Sequence, residues 1–393
     1  MNRILATFVL ILVTFTARAQ KDRYRFAQTY FGIQTDLIGG SHSPEFMSGR
    51  LLIGGTHFWQ KADFYISFPL FTTGISGDAY HYSEGVITGF RYLPFGISRK
   101  GPRPFGGIQW ITPELSIGDG PLIERSRFGI EGGFNIVLGN FYTLELAAHH
   151  LFDNGLSYPI SREGTDQILP PEIGFSLAVK KYIDTTAGLS SEKSKAFVNK
   201  RFKEFTEQKK LSTWNVAIGL SANVALSDLP MLEPYGFMPN KPPLSVFSDV
   251  GIGYYFHQVD AAVRASWRPV KQSNEAYGLN YEIRQHRLSL EAFKFLFDYH
   301  GFVPFVGLAV GSDYLNGSLS DGDLPEMEDN YSGVSYGIVF GWDIRPTDVE
   351  TWLLRTNLRY LFQDDATAQS LRASGQNLEI NFIQLVIYPS RWN

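Results

Sequence analysis

The segment LAAHHLFDNGLS, residues 146–157, holds the residue types that acyl-transfer chemistry uses. A histidine that acts as a general base needs an alcohol or thiol beside it. His149 or His150 would supply the base, Asp153 follows in the same segment, and Ser157 is the nearest hydroxyl downstream. Ser157 reaches the base only if the loop folds back, and a strand end followed by an Asp-Asn-Gly turn explains the same letters. We predict the turn, and we keep these four residues as the catalytic alternative.

A second group of candidates lies in the acidic segment SDGDLPEMEDN, residues 320–330. Oxygen ligands from Asp321, Asp323 and Glu326 could hold Ca²⁺ or Mg²⁺. The spacing does not match the helix–loop–helix calcium motif, and a solvated outer loop explains the charges. Thiolate sites are excluded because the chain has no cysteine, and no glycine-rich phosphate loop precedes a helix. The sequence therefore predicts no metal and no cofactor.

The third group consists of charged residues at alternate positions within apolar segments, where one face of a strand would carry them. They are Arg91, Arg127, Glu131, Glu145, Lys294, Arg355, Arg359 and Glu379. In a narrow eight-stranded barrel such charges would form a paired network that fills the interior, since buried charges must be paired. In a sixteen-stranded barrel they would line a lumen wide enough to conduct. Their role therefore depends on the architecture.

The N-terminus indicates an exported protein. Residues 1–19 combine Arg3, an apolar stretch from Ile4 to Thr16 and an Ala-Arg-Ala cleavage site, as in a secretory signal peptide. Cleavage would leave a mature chain that begins at Gln20. The formal net charge of -4 gives no broad attraction to nucleic acid. We predict export through the inner membrane and insertion into the outer membrane of a Gram-negative bacterium.

Alternating side chains position all of these groups on strands. From Arg127 to Val137 the even positions are apolar and the odd positions are small, polar or charged. Such segments are about ten residues long and carry aromatic residues at their ends, which is typical of tilted membrane strands and interfacial girdles. A closed barrel pairs every backbone group internally, as lipid requires. The sequence therefore predicts an all-β, antiparallel transmembrane barrel rather than a soluble sandwich.

The two halves of the chain resemble each other at a period of about 205 residues, which suggests an internal duplication. FYTLELAAHHLF from Phe141 aligns with TWLLRTNLRYLF from Thr351, and GFRYLPF from Gly89 aligns with AFKFLFD from Ala292. Alternation predicts eight strands in each half. Those of the second half lie near residues 213–226, 246–257, 259–268, 286–297, 302–312, 333–343, 351–362 and 377–388, with residues 269–285 and 313–332 as loops. We favour two tandem eight-stranded barrels, residues 20–184 and 213–393, and keep one sixteen-stranded barrel as the alternative.

Residues 185–212 separate the halves and contain the one clear helical pattern. Val198, Phe202 and Phe205 recur at helical spacing among several lysines. This pattern predicts a periplasmic amphipathic helix that lies on a membrane surface. A solvated linker with incidental apolar residues is the alternative.

LEAFKFLFDYHGFVPFVGLAV, residues 290–310, resembles the small outer-membrane barrels common in Bacteroidetes, which are similar to OmpW- and OmpX-type eight-stranded proteins. The resemblance implies fold and location but no substrate. Residues 146–157 also resemble the lipid A 3-O-deacylases, whose motif is His-x-Ser-Asn. With His150 as the family histidine, Phe152 stands at the nucleophile position and Asp153 at the asparagine. The resemblance therefore implies a site that lacks its nucleophile.

These patterns together predict a non-enzymatic outer-membrane barrel with an envelope-structural, small-solute or lipid-handling role. A lipid A acyl-chain hydrolase and a passive diffusion channel are the alternatives. The expected partners are outer-membrane lipid, lipopolysaccharide and, during insertion, the barrel-assembly machinery. A small-molecule ligand is not specified by the sequence.

Overall fold

The computed structural model describes residues 27–40, 43–74, 80–96, 101–138, 142–152, 155–184, 192–322, 327–347, 349–363 and 376–392. They fall into two compact units. The second unit contains residues from 186 onward together with Ser116–Glu124 and Tyr158–Asp166. The predicted signal peptide, residues 1–19, lies outside the described residues.

The first half of the chain forms a closed antiparallel barrel of eight strands. This half also contains short strands outside the barrel. In chain order all its described strands are β1 (Gln28–Gly40), β2 (Ser43–His57), β3 (Ala62–Gly74), β4 (His81–Ser83), β5 (Ile87–Tyr92), β6 (Arg103–Ile111), β7 (Glu114–Ser116), β8 (Ile123–Glu124), β9 (Arg127–Val137), β10 (Tyr142–Phe152), β11 (Leu156–Pro159), β12 (Thr165–Ile168) and β13 (Ile173–Asp184). The barrel order is β1-β13-β10-β9-β6-β5-β3-β2, while β4, β7 and β8 form a small sheet and β11 pairs with β12. Pairing of β1 with β13 closes the ring.

The second half forms another closed barrel, in which each strand pairs with the next along the chain. Its strands are β14 (Thr213–Ala225), β15 (Ser245–Phe256), β16 (Ala261–Ala276), β17 (Leu279–Phe295), β18 (Phe302–Asp321), β19 (Met327–Ile344), β20 (Trp352–Gln363) and β21 (Gln376–Ile387). β14 pairs with β21 and closes this ring. We call the end where β14 begins and β21 ends the terminal end, and the other the distal end. The prediction of two eight-stranded barrels is confirmed, and the sixteen-stranded alternative is wrong.

An α-helix, α1 (Glu192–Glu207), precedes the second barrel. Within the described ranges, no helix is both long and apolar enough to cross a bilayer.

The two faces of each strand carry opposite chemistry. In β17, Leu288 and Leu290 are 61% and 56% exposed, whereas Arg287 and Glu291, which flank them, are 1% and 0% exposed. Because side chains of a strand alternate between faces, the charges point inward and the leucines outward. This is the inverse of a soluble barrel and the arrangement expected of one surrounded by lipid.

Four neighbouring strands of the second barrel are longer than predicted. β16, β17, β18 and β19 have 16, 17, 20 and 18 residues, so they occupy most of residues 269–285 and 313–332, which alternation assigns to loops. A two-residue turn joins β16 to β17, with Tyr277 and Gly278 both at positive φ, as a tight hairpin requires. The prediction of loops is wrong here. The parts of these strands that extend beyond the other strands of the barrel have polar outward residues, so apolar and polar residues no longer alternate clearly.

The inner face of these projecting strands is covered by the β14–β15 connection. Leu229, Leu232, Phe237 and Met238 of that connection form one buried cluster with inward residues of the strands. Those strand residues are Ala276, Leu279, Tyr281, Ile283, Leu315 and Leu319. The connection therefore packs over the distal end of the lumen.

Candidate functional site

The interior of the second barrel holds a network of charged side chains. Among the described residues of this barrel, ten charged side chains are at most 3% exposed, five arginines and five carboxylates. They are Arg264, Arg268, Arg287, Arg355, Arg359, Asp249, Glu291, Asp313, Asp343 and Glu379. We call this set the second-barrel ion network. The equal numbers of positive and negative groups allow the interior to be neutral.

Ion pairs of the network cross the lumen. Arg359 of β20 donates from Nε to Glu291 Oε1 of β17 at 2.7 Å and from Nη2 to Asp249 Oδ2 of β15 at 2.8 Å. Arg287 of β17 donates from Nη1 to Glu379 Oε1 of β21 at 2.5 Å. In each of these three pairs, the two strands that are joined are not neighbours in the ring. Side chains from non-neighbouring strands can meet in this way only across the interior, so the pairs fill it.

Each central carboxylate is shared by more than one guanidinium. Glu291 also receives a hydrogen bond from Arg264 Nη2 at 2.6 Å, and Glu379 also receives one from Arg268. Charge-assisted hydrogen bonds of this kind are roughly twice as strong as those between neutral groups. They compensate the desolvation of both ions, which would otherwise cost several kcal/mol per ion.

Aromatic side chains close the network toward the terminal end. Arg355 makes a forked pair with Asp343 at 2.7 and 2.9 Å. Its guanidinium also lies 5.1 Å from the ring centres of both Phe293 and Phe305. These rings belong to a buried cluster with Phe295, Tyr255 and Tyr388. An apolar layer therefore follows the ionic layer along the barrel.

The first barrel has its own central cluster around Arg91. Arg91 donates to Glu131 Oε2 at 2.7 Å and to Glu145 Oε1 at 2.8 Å, and Lys180 Nζ contacts Glu145 Oε2 at 2.5 Å. The Arg91 guanidinium lies 4.0 Å from the centre of the Tyr65 ring. β5 is a neighbour of neither β9 nor β10, so the two Arg91 pairs also cross the lumen, whereas Lys180 reaches Glu145 from the neighbouring strand β13.

A second cluster in the first barrel includes Glu84 from the β4–β5 connection. Its carboxylate is 0% exposed and lies 3.5 Å from both Arg50 Nη1 and His149 Nε2. Arg50 also donates to the carbonyl of Gly85 at 2.6 Å. Burial raises the pKa of Glu84, but contact with His149 and the charge of Arg50 outweigh burial and hold the pKa below its ordinary value. The connection is thus tied into the barrel interior.

Seven of the eight predicted lumen charges face inward. Arg91, Glu131, Glu145, Arg355, Arg359 and Glu379 take part in the pairs above, and Arg127 donates to the carbonyl of Pro171 at 2.7 Å. Lys294 is a correction, because it is exposed and donates to the carbonyl of Val259 at 2.5 Å. Since Phe293 faces inward, the pleat turns Lys294 outward. The sequence alignment therefore matches Arg91, which faces inward, with Lys294, which faces outward.

Most of the second-barrel ion network was not among the predicted residues. Arg287, Ser289 and Glu291 alternate with leucines in β17, so the same period that identified Glu131 could have found them. They were missed because the repeat alignment took Lys294, which lies on the opposite face of the same predicted strand, as its inward residue. Asp36, Arg50 and Lys180 of the first barrel follow the same inward pattern.

The three catalytic candidates that the structure describes do not come together. His149 faces inward toward Glu84, while His150 faces outward with its ring edge against Phe152, 5.6 Å between centres. Ser157 is exposed in β11. Asp153 lies outside the described residues. The pleat separates the two histidines, as their adjacency predicts.

The acidic candidates are placed only in part. Asp321 is the last residue of β18, and its two oxygens accept hydrogen bonds from Arg162 at 2.8 and 3.0 Å. Asp323 and Glu326 are outside the described part of the chain. Over the residues that are described, no group of three or more histidine and carboxylate side chains is suited to a metal ion.

The predicted apolar stripe of α1 contacts the second barrel. Phe205 is 2% exposed and packs with Leu211 and Val349, with Val198 partly buried against them. Phe202 is 37% exposed and meets the ring of His257 edge-on. The helix is therefore seated at the terminal end of this barrel.

Comparisons with known proteins add structural neighbours of low similarity. No family model matches the chain, and no curated protein matches it. Neisserial surface protein A is 12% identical over 45% of this chain and 98% of its own, with a TM-score of 0.33. Ail, the attachment invasion locus protein of Yersinia pestis, is 11% identical over 44% and 96%, with a TM-score of 0.30. The beta domain of the Bordetella autotransporter BrkA is 8% identical over 92% and 99%, with a TM-score of 0.24.

Identities and TM-scores this low carry no argument about function. The fold stands on the strand pairing described above, in which each half of the chain closes into its own ring.

Proposed function

We propose that this protein is an integral outer-membrane protein with an envelope-structural role, and that neither barrel conducts solutes. The observation that carries the proposal is the set of arginine–carboxylate pairs across each lumen. Arg359, bonded to both Asp249 and Glu291, bridges the lumen of the second barrel, and such a bridge opposes a continuous aqueous path. The Arg91 pairs likewise cross the interior of the first barrel.

The outer surface supports insertion into lipid. Leu308, Trp214 and Leu288 are more than 60% exposed on the outer face of the second barrel, and Phe128 and Ile108 are similarly exposed on the first. Soluble monomers rarely expose contiguous apolar surface beyond a few hundred Å². Lipid would cover this belt.

The outward residues of β17 change from apolar to polar along the strand, which marks an edge of the apolar outer surface. Near the distal end its outward residues are Asn280, Glu282 and Arg284, and farther along they are Leu288 and Leu290. A strand that leaves a bilayer must change from apolar to polar outward residues at the interface. We therefore assign the projecting parts of β16 to β19 to the aqueous side. As partners we propose outer-membrane lipid, lipopolysaccharide and the barrel-assembly machinery.

Planar-bilayer recording tests the proposal directly. The mature chain is reconstituted, its incorporation is verified by vesicle flotation, and current is recorded over a range of voltages. We expect silence from incorporated protein. Stable, stepwise openings would overturn the closed-barrel proposal and favour the diffusion channel.

A network variant sharpens the same test. In Arg359→Ala with Glu291→Ala, two side chains that span the second lumen are shortened without a change in net charge. We expect this pair to raise ion leakage above that of the parent protein. A matched pair on the outer rim, Lys271→Ala with Glu282→Ala, removes an exposed ion pair and should remain silent.

A further inference from the structure

Helix α1 is fixed to the terminal end of the second barrel by specific contacts. Phe205 is buried with Leu211 and Val349. Arg201 Nη2 donates to the carbonyl of Arg391 at 2.9 Å, just after β21. Arg391 in turn donates to the carbonyls of Leu211 and Glu350 at 2.9 and 3.1 Å. The helix therefore has a defined place on the barrel.

The same region leaves aromatic side chains uncovered. Phe197 is 57% exposed, Phe202 is 37% exposed and Trp392 is 62% exposed. Phe202 contacts His257 in the β15–β16 turn, where the neighbouring Phe256 and Val259 are also exposed. The ring of Phe256 meets that of Tyr254, which in turn meets Trp214 on the outer face of the strands. Large aromatic residues at the edge of such a face are typical of the headgroup layer of a membrane.

Basic residues surround these rings. Residues 192–210 contain seven lysines and arginines against three glutamates, although the whole chain has a net charge of -4. Lys200 and Lys203 are exposed, and at about 100° per residue they project away from the face that holds Phe205. Lys200 makes only an exposed contact of 3.8 Å with Glu204, which contributes little. The exposed side of α1 is thus basic and aromatic together.

We propose that α1, with Trp392, is a docking surface for the headgroups of anionic phospholipids. The inference rests on the proposed function, because it requires the second barrel to sit in a membrane. The exposed rings enter the headgroup layer, and Lys200 and Lys203 contact lipid phosphates. Amphipathic helices with aromatic and basic residues bind membrane surfaces through these two contributions. The barrel adds pre-organisation, since it holds the helix beside the lipid.

Site-specific fluorescence tests the proposal, and the absence of cysteine makes single labels unambiguous. The full mature chain carrying Phe202→Cys with a solvent-sensitive fluorophore is placed in nanodiscs of brominated phosphatidylcholine, with or without phosphatidylglycerol. Leu308→Cys, on the outer face of β18 at 67% exposure, reports barrel insertion. We expect quenching at Leu308→Cys in both discs, and stronger quenching at Phe202→Cys when phosphatidylglycerol is present.

Charge variants separate headgroup binding from simple apolar contact. Lys200→Gln with Lys203→Gln is expected to lower the equilibrium constant for immersion of the label by about tenfold or more, since each basic residue near an anionic surface contributes about 1 kcal/mol. Lys241→Gln, an exposed lysine in the β14–β15 connection, is the matched control and should change nothing.

The outcomes distinguish the two proposals. Quenching at Leu308→Cys without any at Phe202→Cys would overturn the docking surface and leave the membrane barrel intact. Equal quenching at Phe202→Cys in both discs, unaffected by the lysine variants, would overturn the role of anionic headgroups. Absence of quenching at both positions would overturn the membrane barrel and the docking surface with it.

Discussion

The two barrels reach a filled interior in different ways. In the second barrel, the ten members of the ion network all lie on barrel strands. In the first barrel, Glu84 comes from the β4–β5 connection and joins Arg50 and His149 of the wall. On the exterior, both barrels meet the same requirement, which is that outward side chains be apolar. The interior needs only that charges be paired, so strands or a connection can supply the partner.

This difference has consequences for stability. A network carried by strands is held by the backbone hydrogen bonds of the barrel itself. A charge carried by a connection is held only as long as that connection stays folded inward, and such segments open at lower free energy than core strands. We therefore expect the second-barrel ion network to be disrupted only when the whole barrel unfolds. The Glu84 cluster should be disrupted by local opening of the β4–β5 connection.

The largest expected effect is that of Glu291→Ala. It leaves Arg264 and Arg359 without their shared carboxylate, and breaking a buried pair from one side costs about 3–5 kcal/mol. Denaturant unfolding in detergent micelles, followed by tryptophan fluorescence, measures the loss. Glu282→Ala on the same strand removes exposed pairs with Lys271 and Arg284 and should cost about 1 kcal/mol or less. Equal losses in the two variants would contradict a special role for the network.

Glu84→Gln should have a smaller and local effect. It keeps the size of the side chain but removes the charge that faces Arg50 and His149, which we expect to cost about 1–3 kcal/mol. Limited proteolysis of the β4–β5 connection should become faster while the barrel strands stay protected. Because the pKa of Glu84 is below its ordinary value, its contribution is present at neutral pH and is lost as pH falls through that lowered pKa. Unchanged proteolysis at neutral pH would show that the charge does not hold the connection.

Gly85→Ala tests the same connection through its backbone. Gly85 has φ +58°, and an added Cβ would lie 1.9 Å from the carbonyl oxygen of Thr112. We expect a cost of about 1–3 kcal/mol from strain and steric overlap. Gly101→Ala is the control, with φ +81° and open space around the position, so it isolates the cost of the backbone angle. A thermal unfolding series compares the two, and equal shifts would mean that the inserted connection yields without cost.

Lys294→Ala should have the smallest effect. Lys294 faces outward and makes one hydrogen bond to the carbonyl of Val259, so its loss should change stability by about 0.5 kcal/mol or less. Arg91→Ala, at the position that sequence alignment matches to Lys294, removes the centre of the first-barrel cluster. Similar unfolding midpoints for the two variants would contradict the assigned faces.

The sequence by itself determined the alternation and its chemistry. A strand exposes successive side chains on opposite faces, so a local pattern such as Arg127 to Val137 suffices to assign inward and outward residues. The number of strands followed from counting these segments, and eight per half is what the structure has. Seven of the eight predicted lumen charges were assigned to the correct face for the same reason. Lys294 failed because a repeat alignment replaced the local period.

Only the tertiary structure decided which residues meet. Whether β1 pairs with β13 or with β21 depends on closure of the ring, and no local pattern specifies it. Closure then places Arg359 opposite Glu291 and Asp249, which are 68 and 110 residues away along the chain. The projecting parts of β16 to β19 and the inserted Glu84 depend on the same assembly, since each buries residues against segments distant in sequence. Period is a local property of the backbone, whereas pairing across a lumen exists only once the barrel has closed.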